Sequence, residues 1–361
     1  MHLSNSFIFL LLIFFILEAP ITQAQGKSTL VSAIFAFGDS TADPGNNNYI
    51  KTPSRSNFSP YGRDFPNHVA TGRFTNGMLI YDFIAKHVGV KESVPPYLDQ
   101  SLSTEELKTG VSFASGGSGF DPLTPKISNV ISISKQLENF KEYKEKMEAA
   151  IGKEQTQNLI KEALFIVSAG TVDFVVNYNT LPIRRINYTT SAYTDFLLQH
   201  VDQFLQEIMD QGARKIAVAN LLPMGCLPFV ITLNSDISNA ITKRDCIDSQ
   251  SSIAQDYNFK LQNMLNDMQI RFAKLGSRIA YMDIYTPLVD MILGRKYDFE
   301  NVNRGCCGTG SVELAFLCNP LSFVCPNASK YVFWDSIHPT EKAYYLVSQA
   351  LQPTIDSITK Y

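Results

Sequence analysis

Five short apolar runs, separated by longer stretches of helical periodicity, constrain the fold of this 361-residue chain more than any other feature. The runs span residues 33–37, 110–114, 163–168, 215–222 and 278–284, and the second is the weakest. Near-continuous apolar strands of this length are typical of a parallel sheet that is covered on both faces. We therefore predict a strand at each run and a mostly parallel sheet.

Four further stretches carry apolar residues at helical spacing. They span residues 76–87, 193–211, 251–275 and 340–351. Gly212 fits a C-terminal cap for the second stretch, and Pro339 fits the first turn of the last one. Alternating strands and helices predict a three-layer α/β/α sandwich with right-handed crossovers. In such a sheet the functional groups collect at the carboxyl ends of the strands.

An unbroken apolar run at residues 7–17 is followed by Pro20 and by the small-residue site Thr22-Gln23-Ala24. This order is typical of a secretory signal peptide that is cleaved after Ala24. A membrane anchor is the alternative, but the run has about 11 residues, whereas a spanning helix needs about 20. We therefore predict a signal peptide at residues 1–24, no transmembrane anchor, and a secreted, extracellular protein.

The rest of the chain, residues 25–361, has no repeat, low-complexity block or linker rich in proline, glycine or serine. This continuity favours a single domain. The net charge of −3 provides no basic surplus, so neither nucleic acid nor an anionic membrane is an expected partner.

The chain has six cysteines, none of them among the first 225 residues. An even number of cysteines in an exported protein indicates disulfides. Cys226 and Cys246 flank one predicted surface excursion, which favours their pairing. The remaining four are Cys306, Cys307, Cys318 and Cys325. These four cysteines would then form disulfides that cross-link a loop over residues 303–326. A zinc site is the alternative, but two adjacent cysteines fit no standard spacing of paired ligands.

Three sequons for N-glycosylation start at Asn57, Asn187 and Asn327. In an exported protein each predicts a glycan on an exposed loop. The sequons therefore agree with the predicted secretion.

Candidate catalytic residues lie at the two ends of the chain. Ser40 follows directly on the first predicted strand, and its hydroxyl becomes a useful nucleophile only when a base removes its proton. Asp335 lies three residues before His338. In one tight turn, Asp335 can accept from Nδ1–H of His338 and leave Nε2 facing Ser40. The alternative is a turn serine, a surface aspartate and a helix-capping histidine.

Stabilisation of a tetrahedral intermediate requires N–H donors near the serine. Gly116 and Gly117 follow the second predicted strand, where a glycine N–H can point into the site without a side chain in the way. A phosphate-binding loop is the alternative, but the spacing matches neither the dinucleotide fingerprint nor the Walker A pattern.

Several sequence blocks resemble, in order, those of the plant GDSL esterase/lipase family, a branch of the SGNH hydrolases. They are FGDS followed by GNNN, GVSFASGGSGF, FIVSAGTVDF and WDSIHPTEKAY, with YGRDFP, TGRFTNG and LPMGCLP between them. The resemblance implies a flavodoxin-like sheet and hydrolysis of carboxylic esters, whether acyl lipids or acylated small molecules, without a metal or other cofactor. It implies Ser40 as nucleophile, Asp335 and His338 as the rest of the triad, and the N–H groups of Ser40 and Gly117 as oxyanion donors.

One block departs from the family pattern Gly-x-Asn-Asp, whose Asn side chain is a further oxyanion donor. The chain has Gly170-Thr171-Val172-Asp173, and Val172 cannot donate a hydrogen bond. Losing one such donor costs about 10²–10³ in rate, which favours a slower enzyme over an inactive one; Thr171, Asn177 or a water are substitute donors to consider. The alternative is a catalytically impaired family member that acts as a secreted ligand- or partner-binding protein.

Overall fold

The computed structural model describes residues 31–360 and contains a main sheet of four parallel strands. The strands are β1 (Ile34–Gly38), β2 (Leu164–Ser168), β3 (Lys215–Ala219) and β4 (Arg278–Met282), which pair in the order β1-β2-β3-β4. All of β1 and all but the last residue of β2 are buried, because both faces of the sheet are covered. The predicted parallel sheet is confirmed.

The weakest predicted run, residues 110–114, lies along the free edge of β1 but is not a regular strand. Ala36 donates to the Val111 carbonyl at 3.2 Å and accepts from the N–H of Phe113 at 2.8 Å. The Ser112 hydroxyl then accepts from the N–H of Ala114 at 3.2 Å, which bends the chain and limits the pairing to one bridge. With this segment beside β1, the spatial order is that of flavodoxin-like sheets.

Helices cover the sheet. Within residues 31–360 the α-helices are α1 (Ile80–His87), α2 (Thr104–Lys108), α3 (Thr124–Ser128), α4 (Ile133–Ile151), α5 (Lys153–Glu162), α6 (Thr190–Asp210), α7 (Pro228–Asn234), α8 (Asp248–Phe272), α9 (Tyr285–Ile292) and α10 (Glu341–Thr359). α1 packs on α10, which contacts β3 and β4. α4 contacts β1 and α6, while α8 contacts α6 and β4. This packing gives the predicted three-layer α/β/α sandwich.

The four predicted helices are present with shifted ends. The helix predicted at 76–87 begins only at Ile80, because Asn76 donates to the Asp64 carboxylate at 2.7 Å and accepts from the N–H of Glu341 at 2.9 Å, which holds it in a loop. The strand predicted at 215–222 is also shorter and ends at Ala219.

The last helix is longer than predicted and runs through Pro353 to Thr359. The hydroxyl of Thr340 caps its first turn by accepting from the N–H of Ala343 at 3.3 Å. Pro339 precedes this cap and forms a bridge with Phe333, so its predicted place in the first helical turn was wrong.

Two short strands, β5 (Asn301–Gly305) and β6 (Tyr331–Phe333), form a separate parallel pair beside a disulfide-rich loop. The disulfides join Cys226 with Cys246, Cys306 with Cys325, and Cys307 with Cys318. The predicted disulfides are confirmed. Because residues 31–360 contain no free cysteine, the zinc alternative has no thiol left to bind a metal.

The remaining predictions about export concern the surface and the N-terminus. Asn57, Asn187 and Asn327 are all exposed. The predicted signal peptide, residues 1–24, lies outside the described residues. Within residues 31–360, every helix is too short or too polar to cross a lipid bilayer.

Candidate active site

Ser40 lies just beyond the carboxyl end of β1, in the turn that follows Gly38. Gly38 has a φ of 136° and lies against the carbonyl group of Ser168, with which a Cβ atom would collide. Only glycine fits this close approach of β1 to β2. The turn therefore carries Ser40 out of the sheet into a cavity at its carboxyl edge.

Asp335 and His338 lie between β6 and α10, in a turn that the aspartate itself holds together. Oδ1 of Asp335 accepts from the N–H groups of Ile337 at 2.9 Å and His338 at 2.7 Å. The turn aims the imidazole ring back at the carboxylate, with Nδ1 of His338 2.8 Å from Oδ2 of Asp335. On its other side, Nε2 of His338 lies 2.7 Å from Oγ of Ser40. The structure thus brings the three predicted residues together.

The partners of His338 determine its hydrogen-bonding roles. With Nδ1 donating to the carboxylate of Asp335, Nε2 is left to accept from the hydroxyl of Ser40. All three side chains are buried, and burial strengthens these contacts. This series of hydrogen bonds can therefore transfer a proton from the hydroxyl of Ser40 to the imidazole of His338.

Tyr61 is a residue of this site that the sequence did not single out. Its hydroxyl donates to Oδ2 of Asp335 at 2.8 Å and accepts from the N–H of Ala315 at 3.0 Å. Tyr61 lies in the YGRDFP block, and the position of this block in the sequence does not indicate that Tyr61 contacts the carboxylate of Asp335. The ring of Phe74, from the TGRFTNG block, packs 5.2 Å from the ring of His338.

The segment from Asp43 to Ser54, which contains the GNNN block, fixes the loop that carries Gly117. The Asp43 carboxylate accepts from the N–H of Gly116 at 2.9 Å, and burial raises the pKa of Asp43 to about 6. Asn47 and Ser54 donate to the Gly116 carbonyl at 2.8 and 3.0 Å. Both sides of this peptide are therefore anchored.

The backbone N–H of the following residue, Gly117, is left free to bind a ligand. Gly117 has a φ of 90°, and neither its N–H nor that of Ser40 has a hydrogen-bond acceptor within residues 31–360. Both residues line the same cavity. Two N–H groups without partners beside a serine are the donors that an oxyanion needs.

The cavity beside the triad has a volume of about 290 Å³. Ser40, His338 and Gly117 lie among its lining residues. Its other walls are mostly apolar and come from several parts of the chain. They include Val172, Val175, Phe229, Leu314, Phe316 and Ile337. The site therefore joins a polar reaction centre to an apolar pocket.

Sequence comparison identifies the family. The model of the GDSL-like lipase/acylhydrolase family matches residues 34–351. The chain belongs to this family. It is 56% identical to the GDSL esterase/lipase At5g45960 of Arabidopsis thaliana over 94% of this chain and 90% of that protein. It is 48% identical to At1g06990 of the same plant, over 90% and 89%. The resemblance drawn from the sequence, and with it the assignment to the carboxylic ester hydrolases, is confirmed.

The solved structures that match are much less similar to this chain. A catalytic mutant of Axe2, an acetylxylan esterase from Geobacillus stearothermophilus, is 11% identical with a TM-score of 0.39, over 90% of this chain and 94% of that one. LAE5, an alpha/beta hydrolase enzyme from a lake metagenome, is 10% identical with a TM-score of 0.40, over 91% and 96%.

Val172, which the sequence analysis assigned to the place of an oxyanion Asn, lines the pocket. Its side chain has no donor. Asn177 is not a substitute, because its Nδ2 donates to the Thr124 hydroxyl at 2.5 Å and it lies outside the pocket lining; that hypothesis was wrong. Thr171 does line the pocket with Ser40 and His338, so of the two side chains proposed as substitute donors it is the one that remains.

Asp173, the last residue of this GDSL block, holds the Gly117 loop from its far end. Its carboxylate accepts from the N–H groups of Phe120 at 2.9 Å and Asp121 at 3.2 Å, and from the hydroxyl of Thr124. Burial raises the pKa of Asp173 to about 7.

Within residues 31–360, no group of three or more His, Cys, Asp or Glu side chains could hold a metal ion.

Proposed function

We propose that the chain is a secreted serine esterase that hydrolyses carboxylic esters through Ser40, His338 and Asp335. The observation that carries this proposal is the distance of 2.7 Å between Nε2 of His338 and Oγ of Ser40, with Nδ1 bound to Asp335. A hydroxyl becomes a nucleophile when a base of fixed tautomer receives its proton in this way.

In the first half of the reaction, Oγ of Ser40 attacks the ester carbonyl carbon while Nε2 of His338 takes the hydroxyl proton. Asp335 stabilises the resulting imidazolium. The oxygen of the tetrahedral intermediate accepts from the N–H groups of Ser40 and Gly117, which have no other acceptor in the described chain. His338 then donates its proton to the leaving alcohol, and an acyl-serine remains.

In the second half, His338 removes a proton from a water molecule, whose oxygen attacks the acyl-serine carbonyl carbon. The same two N–H groups stabilise the second intermediate. Ser40 regains its proton from the imidazolium as the carboxylic acid leaves. The apolar lining of the pocket supports an acyl chain as the group held beside Ser40.

Val172 makes this a slower GDSL esterase in our proposal. The loss of one oxyanion donor costs about 10²–10³ in rate, whereas enzymes accelerate reactions by about 10⁶ or more. The two N–H donors therefore support turnover. Val172 is also the observation that favours the second candidate, a secreted protein that uses the same pocket to bind a ligand or partner without hydrolysis.

Labelling by a fluorophosphonate separates the two candidates. Only a serine whose proton is removed by a base reacts with the probe at a useful rate. The esterase proposal requires covalent labelling of the wild type at Ser40 and none of Ser40→Ala. A wild type that stays unlabelled while folded would favour the binding protein.

Secretion and domain organisation complete the proposal. We propose that residues 1–24 are removed as a signal peptide and that residues 25–361 form a single domain with glycans at Asn57, Asn187 and Asn327. Support comes from the exposure of the three asparagines and from the three disulfides, which are typical of exported proteins.

A further inference from the structure

The loop between Cys306 and Cys325 ends in an unusually apolar turn, residues 314–324, which we name the apolar turn. No charged residue occurs between Glu313 and Lys330. Four large apolar side chains of this turn point into solvent. They are Leu321, 96% exposed, Phe323, 73%, Phe316, 60%, and Leu317, 47%. So dense a cluster of exposed apolar side chains marks an interaction site.

The apolar turn is held in place from within the loop. Two disulfides, Cys306–Cys325 and Cys307–Cys318, tie it to the body of the protein. The N–H of Gly308 donates to the Phe323 carbonyl at 2.7 Å. The turn is therefore covalently anchored with its apolar side chains exposed.

The polar side chains of the apolar turn bond inside it. Asn319 accepts from the N–H of Leu321 at 2.9 Å and donates to the Phe316 carbonyl at 3.1 Å. The Ser322 hydroxyl accepts from the N–H of Asn319 at 3.0 Å and donates to the Leu317 carbonyl at 3.2 Å. These groups would lose little if water were removed from around them, which is the condition for entering an apolar medium.

The apolar turn is continuous with the active-site pocket. Phe316 and Leu317 are exposed to solvent and also line the cavity that contains Ser40. Leu314 and Ala315, at the start of the turn, line the same cavity. Whatever covers the turn therefore lies at the mouth of the pocket.

We infer that the apolar turn docks the protein on an uncharged lipid–water interface and opens the pocket directly onto it. Docking itself is independent of the proposed function, and only the later transfer of an ester from the lipid phase to Ser40 rests on it. A lipid surface fits better than a protein partner or a second copy, because a protein interface typically has a polar rim around its apolar core. The turn has no charged group to contribute to such a rim.

The test measures binding separately from catalysis. The full secreted protein is sedimented with large vesicles of a diether phosphatidylcholine, which contains no carboxylic ester and carries no net charge. Leu321→Ser and Phe323→Ser remove apolar side chains from the turn. Phe259→Ser is the matched control, because Phe259 is 66% exposed on α8, away from the pocket lining. The melting temperature of each variant verifies that it folds.

We expect the wild type and Phe259→Ser to co-sediment equally with the vesicles. Leu321→Ser and Phe323→Ser should each lower the partition coefficient on the order of tenfold, as expected for losing a buried apolar side chain. Raising the salt concentration should not release the protein, since no charge pair is involved.

Three results would overturn the inference. They are a wild type that stays in the supernatant, an equal loss in Phe259→Ser, and a lipid-free dimer that Phe323→Ser dissociates, which would identify a second copy as the occupant. Because the vesicles hold no ester, each result can be read whether or not Ser40 hydrolyses esters. A wild type that binds the vesicles but does not hydrolyse a soluble ester would instead count against the proposed function.

Discussion

The hydroxyl of Tyr61 donates a hydrogen bond of 2.8 Å to Oδ2 of Asp335, the oxygen that also lies 2.8 Å from Nδ1 of His338. The other oxygen of Asp335 accepts from two N–H groups of its own turn. The carboxylate is therefore held on both sides and cannot rotate away from the imidazole. Tyr61 is a positioning residue, because it acts on the serine only through Asp335 and His338.

Tyr61→Phe should lower kcat by about tenfold with little change in KM, because a hydrogen bond to a charged group contributes about 1.5–3 kcal/mol. The control is Tyr81→Phe, since the buried hydroxyl of Tyr81 has no hydrogen-bond partner within residues 31–360. Steady-state kinetics on a soluble ester measures both. Equal kcat values for the two variants would show that Tyr61 does not position the triad.

Val172→Asn should raise kcat on a simple ester at least tenfold, because it restores a side-chain donor worth about 10²–10³ in rate. Val176→Asn is the matched control, as it places the same side chain elsewhere in the lining of the same pocket. The gain should appear in kcat rather than in KM. An unchanged kcat would mean that another group, with Thr171 the first to examine, already completes the oxyanion site.

The buried carboxyl of Asp173 predicts a pH-dependent stability. Burial raises its pKa from 3.8 to about 7, although Thr124 and backbone N–H groups bind it. Between those values the folded protein holds more protons than the unfolded chain, so the stability from this group is lost as pH rises. Asp173→Asn should therefore gain stability relative to the wild type as pH rises from 3.8 to about 7, by on the order of 1.4 kcal/mol per pKa unit. Thermal melts over this pH range measure the gain as a rise in relative melting temperature.

Asp121 provides the opposite case. Burial alone would raise its pKa, but Arg184, which binds both oxygens at 2.6 Å, lowers it. Its stabilising contribution is present above its ordinary pKa and is lost only as pH falls further. Asp121→Asn should thus be less stable than the wild type at about pH 5–8 and recover relative to it in acid. Thermal melts that show the same pH trend for Asp121→Asn and Asp173→Asn would contradict this account.

Export gives a prediction that needs no assay of activity. The protein recovered from the medium of a eukaryotic host should begin at Gln25, as read by mass spectrometry of its N-terminal peptide. Enzymatic deglycosylation should lower its mass, and Asn187→Gln should remove one glycan. A product that keeps residues 1–24 and stays with the cells would refute the signal peptide.

The main sheet could be predicted from the sequence because its strands are buried on both faces and so have no polar alternation to obscure them. Residues 110–114 were harder, since the hydrogen bonds of Ser112 that end the pairing depend on contacts made by its side chain. The same holds for Asn76, whose bonds to Asp64 and Glu341 delay the start of α1.

The candidate site could be predicted where one short block contains the chemistry, as in Ser40 or in Asp335 with His338. Tyr61 was missed because it is 274 residues from Asp335 in sequence, and no local pattern records such a contact. The apolar turn was missed for a related reason. Its apolar residues look like core residues until the fold leaves them in solvent.

The kinetic coupling of Ser40 and His338 tests the central claim most directly. Hydrolysis of a soluble ester is measured for the wild type, Ser40→Ala, His338→Ala and the double variant. If Nε2 of His338 activates Oγ of Ser40, each single variant should lose on the order of 10⁴–10⁶ in kcat and the double variant no more than either. Losses that multiply in the double variant, or a single variant that keeps near wild-type turnover, would contradict the account.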